Sequence, residues 1–165
     1  MSETIRILGI DPGLTVTGWG IVDQTGTRLS AVAHGVIKPK AGDPIPTRLR
    51  FIHEAMEDLL QSYQPVEAAV EDQFVHANPG AALKLGQARA AGILAPACAG
   101  LPIGEYAPRL VKKSVVGTGG ASKDQIAAMI SVLLPGTKAT ADAADALAIA
   151  ICHANLRTSP ERLAS

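Results

Sequence analysis

The sequence predicts an α/β fold, a mixed sheet of five strands flanked by helices, on two observations. Short apolar segments rich in β-branched residues alternate with longer segments of helical character over most of the 165 residues. Hydrophobic residues make up 47% of the chain and aromatic residues only 3%, so Ala, Val, Ile and Leu must form most of the core, as in tightly packed helix-on-sheet layers. This length suits one domain, and we expect residues 1–165 to form a single one.

The predicted elements begin with a three-stranded meander and continue as alternating helices and strands. We predict strands at residues 5–10, 16–23, 28–37, 66–71 and 101–106, and helices at residues 47–63, 80–99, 108–116, 123–134 and 141–155. Pro65 marks the end of the first helix, and the spacing of Ser122 and Gln125 is that of a capping box at the start of the fourth. Residues 38–46 are predicted to be a loop, and the polar residues from about 156 onward a flexible tail.

Charge is balanced overall but uneven along the chain. The 15 basic and 15 acidic side chains give a formal net charge of zero, which excludes the strong global field of a very basic nucleic-acid-binding protein. Residues 84–123 nevertheless contain Glu105 as their single acid and six basic residues, namely Lys84, Arg89, Arg109, Lys112, Lys113 and Lys123. This segment is either an ordinary solvated surface or a phosphate-binding patch.

The cysteines and the absence of long apolar segments predict a cytoplasmic protein. Cys98 and Cys152 lie in Ala-rich apolar sequence without the spacing of a metal site, so we expect both to be buried free thiols in a reducing compartment. Residues 1–4 show no signal-peptide pattern, and no apolar run approaches the roughly 20 residues that span a bilayer. No membrane association is therefore expected.

Four carboxylates are candidates for a functional site. Asp11 and Glu71 each end a predicted strand, where α/β sheets usually bind ligands. Asp142 and Asp145 are three residues apart, which places both on one face of the last predicted helix. Taken singly, each acid has an ordinary explanation, as a turn residue or as a favourable charge in the first turn of a helix. Apolar sequence surrounds them all, however, and half-buried carboxylates are costly unless they are paired or bind cations.

An all-oxygen ligand set suits a hard divalent ion. Mg²⁺ and Mn²⁺ prefer such ligands, and two ions about 3.5–4 Å apart stabilise the attacking and leaving oxygens of phosphodiester hydrolysis. We therefore predict a nuclease with two Mg²⁺ or Mn²⁺ ions per active site. Asp11, on the most central element, is expected to bridge them, with Glu71 on one side and the two helix acids on the other. The segment 11–15 also fits the D-x-G-x-T phosphate loop of actin-like and sugar-kinase ATPases, but 165 residues are too few for the two domains of those enzymes.

Five motifs follow one another in a specific order and spacing. They are Ile10-Asp11-Pro12-Gly13 with Gly18-Trp19-Gly20, Glu71-x-x-Phe74, residues 82–89 (ALKLGQAR), Val115-Val116-Gly117-x-Gly119, and residues 141–148 (ADAADALA). Together they resemble the RuvC family, the bacterial Holliday-junction resolvases with a ribonuclease H-like fold. The resemblance extends over about residues 5–153. It departs from the family at Asp72, where a neutral polar residue is more common, and strand alternation should point Asp72 away from Glu71.

The resemblance implies a homodimer that binds a four-way DNA junction. It would cut two strands of like polarity symmetrically, in homologous recombination and DNA repair, and leave nicks that a ligase can seal. Cleavage would be direct attack by water at a metal site formed by the four acids Asp11, Glu71, Asp142 and Asp145. The family works with a branch-migration helicase complex of the RuvA and RuvB type, which we expect as a partner.

The motif positions also imply DNA contacts. Phe74 corresponds to an aromatic residue that stacks on or unstacks a junction base, and Lys112 and Lys123 correspond to basic residues near the scissile phosphate. An aromatic residue in a polar loop is poorly explained as core, and stacking on a base contributes about 1–3 kcal/mol, although packing of Phe74 onto the core is the alternative. Lys84 and Arg89 are further expected contacts from the positive segment.

Three functional classes remain open: a junction-specific endonuclease, a ribonuclease H-like enzyme that acts on RNA, and an inactive junction-binding module. The four acids argue against the inactive module. The whole motif pattern argues against the RNA enzyme, which the fold alone would not exclude. We therefore expect a junction-specific endonuclease.

Overall fold

The computed structural model describes residues 2–73 and 78–157, and these residues form the predicted α/β architecture. The strands are β1 (Thr4–Asp11), β2 (Thr17–Thr25), β3 (Arg28–Ile37), β4 (Glu67–Glu71) and β5 (Ile103–Tyr106). The helices are α1 (Ile45–Tyr63), α2 (Pro79–Cys98), α3 (Pro108–Val116), α4 (Lys123–Leu133) and α5 (Ala141–Leu156). Each predicted element is present within the described ranges, in the predicted order.

The strands form one mixed sheet in the order β3-β2-β1-β4-β5. The first three strands make the predicted antiparallel meander, and β4 and β5 run parallel to β1. The hairpin between β2 and β3 has a two-residue loop in which Gly26 takes a φ of 62°, a conformation that suits glycine. Ile10 pairs with Val70, so the next residues, Asp11 and Glu71, end neighbouring strands at the same edge of the sheet.

Helices cover both faces of this sheet, and the sheet divides the core into two layers. Adjacent residues of β1 point to opposite faces: Ile7 packs with α3, α4 and α5, whereas Leu8 packs with α1 and α2. Both side chains are fully buried. Most of α5 is buried around its whole circumference, because it lies between the sheet and the α3–α4 layer. The core therefore consists mostly of aliphatic residues and alanine, as the low aromatic content predicts.

Two glycines allow α5 to lie directly on the strands. A Cβ on Gly9 would stand 2.0 Å from the backbone oxygen of Ala146, and a Cβ on Gly18 would stand 2.1 Å from that of Asp142. No larger residue fits at either position without moving the helix backbone. The close contact fixes the first turn of α5 against β2.

Some boundaries differ from the predicted ones. Residues 38–46 are predicted to be a loop, but helix α1 begins at Ile45 and includes Pro46, because proline is well tolerated in the first turn of a helix. Helix α5 continues to Leu156, and Arg157 follows it as the C-cap residue. The tail prediction for residues 158–165 lies outside the described residues.

The prediction for the cysteines was half wrong. Cys152 is buried, as expected, but Cys98 is exposed. In the last turn of α2 the core-facing positions are Ala95 and Pro96, so Cys98 points outward. None of the helices in the described part of the chain has the length and apolar character needed to cross a membrane.

Candidate active site

The four predicted acids lie around one cleft at the carboxyl edge of the sheet. Asp11 ends β1, Glu71 ends β4, and the first turns of α5 bring Asp142 and Asp145 to the same place. We call the cleft that these four residues line the acid cleft. Its volume is about 400 Å³, and its other polar lining residues are Gln73, Lys112 and Lys123.

The two lysines reach the cleft from helices with well-defined positions. Lys112 lies on α3, whose buried residues Val111 and Val115 pack it against the core. Lys123 is the first residue of α4, which begins with the predicted capping box. The Ser122 hydroxyl accepts a hydrogen bond from the Gln125 backbone N–H at 3.2 Å, and the Gln125 side chain accepts one from the Ser122 N–H at 2.8 Å.

The acid cleft holds more negative charge than its surroundings balance. Burial is the main cause that raises the pKa of Asp11 to about 7, and the charges of the other three acids add to it. Burial also raises the pKa of Asp145, while Lys123 and Lys112 act in the opposite direction. The two lysines thus offset only part of the repulsion, and a bound divalent cation would offset the rest.

The chemistry of the donors fits such a cation. Carboxylate oxygens are the ligands that Mg²⁺ and Mn²⁺ prefer, and the described residues that line the acid cleft include no sulfur or imidazole that would favour a softer metal. Among residues 2–73 and 78–157, however, no three His, Cys, Asp or Glu side chains converge closely enough to hold one ion as they stand. The four acids line one cleft without three of them meeting at a point.

Gln73 also lines the cleft, although it is not among the predicted site residues. Its amide nitrogen donates a hydrogen bond to Glu71 Oε2 at 2.5 Å and lies 3.3 Å from Asp11 Oδ1. Residues two apart on an extended segment point to the same side, so the position of Gln73 relative to Glu71 was the available signal. Asp72 does not line the cleft, and its backbone N–H donates to the Tyr106 carbonyl at 2.7 Å.

Only some of the residues that are predicted to contact DNA lie at the cleft. Lys112 and Lys123 line the cleft, whereas Lys84 is exposed on α2 and does not. Arg89 forms an ion pair with Glu105, and its side chain is only 22% exposed. Phe74 lies outside the described residues.

A second, partly buried polar cluster lies at the other end of α5 and was not predicted. The His153 Nε2 atom donates to a Glu67 carboxylate oxygen at 2.6 Å, and His153 Nδ1 lies 2.6 Å from the Tyr106 hydroxyl. Arg157 donates two hydrogen bonds to the same carboxylate. These bonds, chiefly those from Arg157, lower the pKa of Glu67. We call Glu67, Tyr106, His153 and Arg157 the anchor cluster.

Fold and cleft together define the class of protein. A mixed sheet with a leading antiparallel meander, acids at the carboxyl ends of its central strands and lysines beside them is the arrangement of a ribonuclease H-like nuclease. The family model for the crossover junction endodeoxyribonuclease RuvC matches residues 7–153. The chain belongs to this RuvC family, whose activity is the hydrolysis of phosphodiester bonds in DNA.

Individual relatives agree with the family assignment. The chain is 61% identical over 157 residues to the crossover junction endodeoxyribonuclease RuvC of Maricaulis maris, and the match covers 95% of each chain. It is 56% identical to the RuvC of Rhodospirillum rubrum over 161 residues, or 97% of this chain and 95% of that one. The structure of Thermus thermophilus RuvC in complex with Holliday junction substrate matches with a TM-score of 0.85 and 34% identity, over 91% of this chain and 93% of that chain. The predicted fold and family are confirmed.

Proposed function

We propose that this protein resolves four-way DNA junctions in homologous recombination and repair by nicking two strands of like polarity symmetrically. The observation that carries the proposal is the acid cleft, which joins residues from β1, β4 and α5. Membership of the RuvC family supports the reaction class, and a relative of known structure was solved with a Holliday junction substrate.

The proposed ligands of two Mg²⁺ or Mn²⁺ ions are the four acids of the cleft. Such ions, when bound, supply an activated water and stabilise charge on the attacking and leaving oxygens. Asp11 ends the central strand and interacts electrostatically with the other three acids, so it is the best candidate for a bridging ligand. Lys112 and Lys123 would orient the scissile phosphate and neutralise part of its charge.

Contacts farther along the DNA form the next part of the proposal. Phe74 is assigned to stacking on a junction base and Lys84, which is exposed, to a backbone phosphate. Arg89 reaches a phosphate only in competition with Glu105, its present ion-pair partner. We therefore expect Lys84 to contribute more to DNA affinity than Arg89.

A homodimer would account for two symmetric nicks. Helix α2 supports it, because Leu83 and Leu94 are 64% and 51% exposed on that helix. Ala90 and Ala97 are also exposed and lie at helical spacing from the two leucines, so they extend one uncharged stripe. A second copy that covered this stripe would bury it and place two clefts on one junction.

A helicase partner and a cytoplasmic location complete the proposal. The exposed thiol of Cys98 suits a reducing compartment. A branch-migration complex of the RuvA and RuvB type would move the junction until a favoured sequence reaches the cleft. Co-purification with such a motor loaded on a junction tests the partnership, and no association would contradict it.

The central test is cleavage of a mobile synthetic four-way DNA junction with Mg²⁺ or Mn²⁺. The native chain should give paired, symmetric nicks, and Asp11→Asn should bind the junction without cutting it. Asp58→Asn, which removes an exposed charge on α1, is the matched control and should cut normally. Junction, duplex and RNA should be compared in competition, because a preference for RNA, or no cleavage with either metal, would contradict the proposal.

A further inference from the structure

The backbone of the sheet sets the position of Gln73. The Asp72 N–H donates to the Tyr106 carbonyl at 2.7 Å, which continues the pairing of β4 with β5 for one residue beyond Glu71. The chain therefore remains extended at this point, and the Gln73 side chain follows that of Glu71 into the cleft. The four-acid arrangement by itself leaves this side chain without a function.

The hydrogen bonds of Gln73 have a fixed direction. An ionised carboxylate accepts hydrogen bonds and cannot donate them, so the NH₂ group of the amide must face Glu71 and Asp11. Hydrogen bonds to a charged acceptor are roughly twice as strong as neutral ones. The NH₂ group thus acts as an uncharged substitute for a cation between two acids that repel each other.

A divalent ion would need the same carboxylate oxygens. Mg²⁺ binds oxygen ligands at about 2.0–2.1 Å, which is closer than the amide nitrogen stands to either acid, and an NH₂ group cannot serve as a ligand in its place. If Glu71 and Asp11 held a divalent ion together, the Gln73 amide would have to leave the carboxylate oxygens that it now contacts. We propose that Gln73 is a positioning residue that holds these two acids in the metal-free protein and raises the ion concentration needed to load the cleft. The inference rests on the proposed function, because it concerns the same four acids.

Gln73→Met tests this competition, because methionine has a similar length and no hydrogen-bond donor. We expect Mg²⁺ to bind the DNA-free variant about tenfold more tightly than the native protein, as measured by isothermal titration calorimetry. The melting temperature of the metal-free variant should fall, while that of the Mg²⁺-saturated variant should match the native value. Gln73→Lys, which places a full positive charge beside the acids, should bind Mg²⁺ more weakly than the native protein.

Gln24→Met is the matched control. Gln24 donates to the Ala154 carbonyl at 3.0 Å, away from the cleft, so its loss should lower both melting temperatures equally and leave Mg²⁺ affinity unchanged. Unchanged or weaker Mg²⁺ binding by Gln73→Met, or equal losses of stability with and without the ion, would overturn the inference about Gln73. If the native chain itself binds neither Mg²⁺ nor Mn²⁺, the proposed metal site fails, and the inference fails with it.

Discussion

The two ends of α5 carry partly buried polar clusters of opposite character. At its start, the acid cleft brings like charges together, and the pKa of Asp11 is raised as a result. At its end, the anchor cluster pairs a glutamate with an arginine and a histidine, and the pKa of that glutamate, Glu67, is lowered. Strand β4 and helix α5 contribute residues to both clusters, and Glu67 and Glu71 are the first and last residues of β4.

This difference separates the part of the molecule that stabilises the fold from the part that we propose does chemistry. The anchor cluster holds the end of α5 to β4 with charges that are matched within the protein. The negative charges of the acid cleft are balanced only when a cation binds there. In the free protein their repulsion therefore lowers stability. Proteins commonly accept such a cost where a functional site requires it.

The largest expected effect is the change with pH in the free energy of unfolding of the metal-free protein, and it comes from the acid cleft. The pKa of Asp11 is about 7 in the folded chain, against an ordinary value of 3.8. The folded state therefore binds the proton more tightly, and the stabilisation by protonated Asp11 is complete below about pH 4 and lost as the pH rises through 7. With a chelator present, the free energy of unfolding should fall by about 3–4 kcal/mol between pH 4 and pH 8.

Urea denaturation at a series of pH values measures this fall, and Asp11→Asn should remove most of it. Saturating Mg²⁺ should restore stability at pH 8. Glu67 provides the contrast, because its pKa is lowered from an ordinary value of 4.5. Its contribution is fully present above that value and is lost only at more acidic pH, so it does not produce the fall. A native profile that stays flat from pH 4 to pH 8 would refute the contrast between the clusters.

The next effect concerns the anchor cluster. Glu67→Gln should lower the free energy of unfolding by about 3 kcal/mol at pH 8, because it leaves a partly buried arginine without its carboxylate. Glu54→Gln is the control, since Glu54 pairs with Arg50 at an exposed position of α1 and should change nothing measurable. Mg²⁺ affinity should be unaffected in both variants. Equal losses of stability from the two variants would contradict the proposed role of the anchor cluster.

Gly18→Ala and Gly104→Ala each add one Cβ atom, at opposite ends of α5, and should differ in their effect on Mg²⁺ binding. A Cβ on Gly18 would stand 2.1 Å from the backbone oxygen of Asp142, and a Cβ on Gly104 would stand 2.6 Å from both His153 Nδ1 and the Tyr106 hydroxyl. Each alanine variant should lose about 2 kcal/mol of stability. Only Gly18→Ala should also weaken Mg²⁺ binding, because it displaces the turn that carries a proposed ligand. Calorimetric titration of both variants is the measurement, and equal Mg²⁺ affinities would count against that placement.

The smallest effect concerns surface charge outside both clusters. Lys84→Ala should reduce junction affinity modestly and lower the slope of log K against log salt concentration by about 1, as expected for one lost phosphate contact. Arg89→Ala should change the slope less, because Arg89 already pairs with Glu105. Fluorescence anisotropy with a labelled junction in Ca²⁺ measures both. A larger change for Arg89→Ala would reverse the assignment.

Much of the acid cleft could be predicted because its acids follow local signals. Asp11 and Glu71 each end a short apolar segment, and the alternation of helices and strands predicts that such ends meet at one edge of a sheet. The spacing of Asp142 and Asp145 places both on one face of a helix whatever that helix packs against. The capping box before α4 was equally local, so it predicted the start of the helix that presents Lys123.

The anchor cluster could not be predicted in this way, because its partners are far apart in the sequence. Glu67 and His153 are 86 residues apart, and neither stands in a spacing that indicates the other. The exposure of Cys98 depends on which side of the last turn of α2 meets the core, which an Ala-rich segment does not indicate.

The sequence alone determined the elements and their order, because periodicity and turn residues act over a few residues. It also selected the four candidate acids, and the order of five motifs along residues 5–153 carried the family resemblance. The tertiary structure alone decided which polar groups pair with one another. It placed the Gln73 amide between Glu71 and Asp11, and it brought α5 against the backbone of Gly9 and Gly18. Such contacts depend on the distances between elements, which are set by the packing of the whole core.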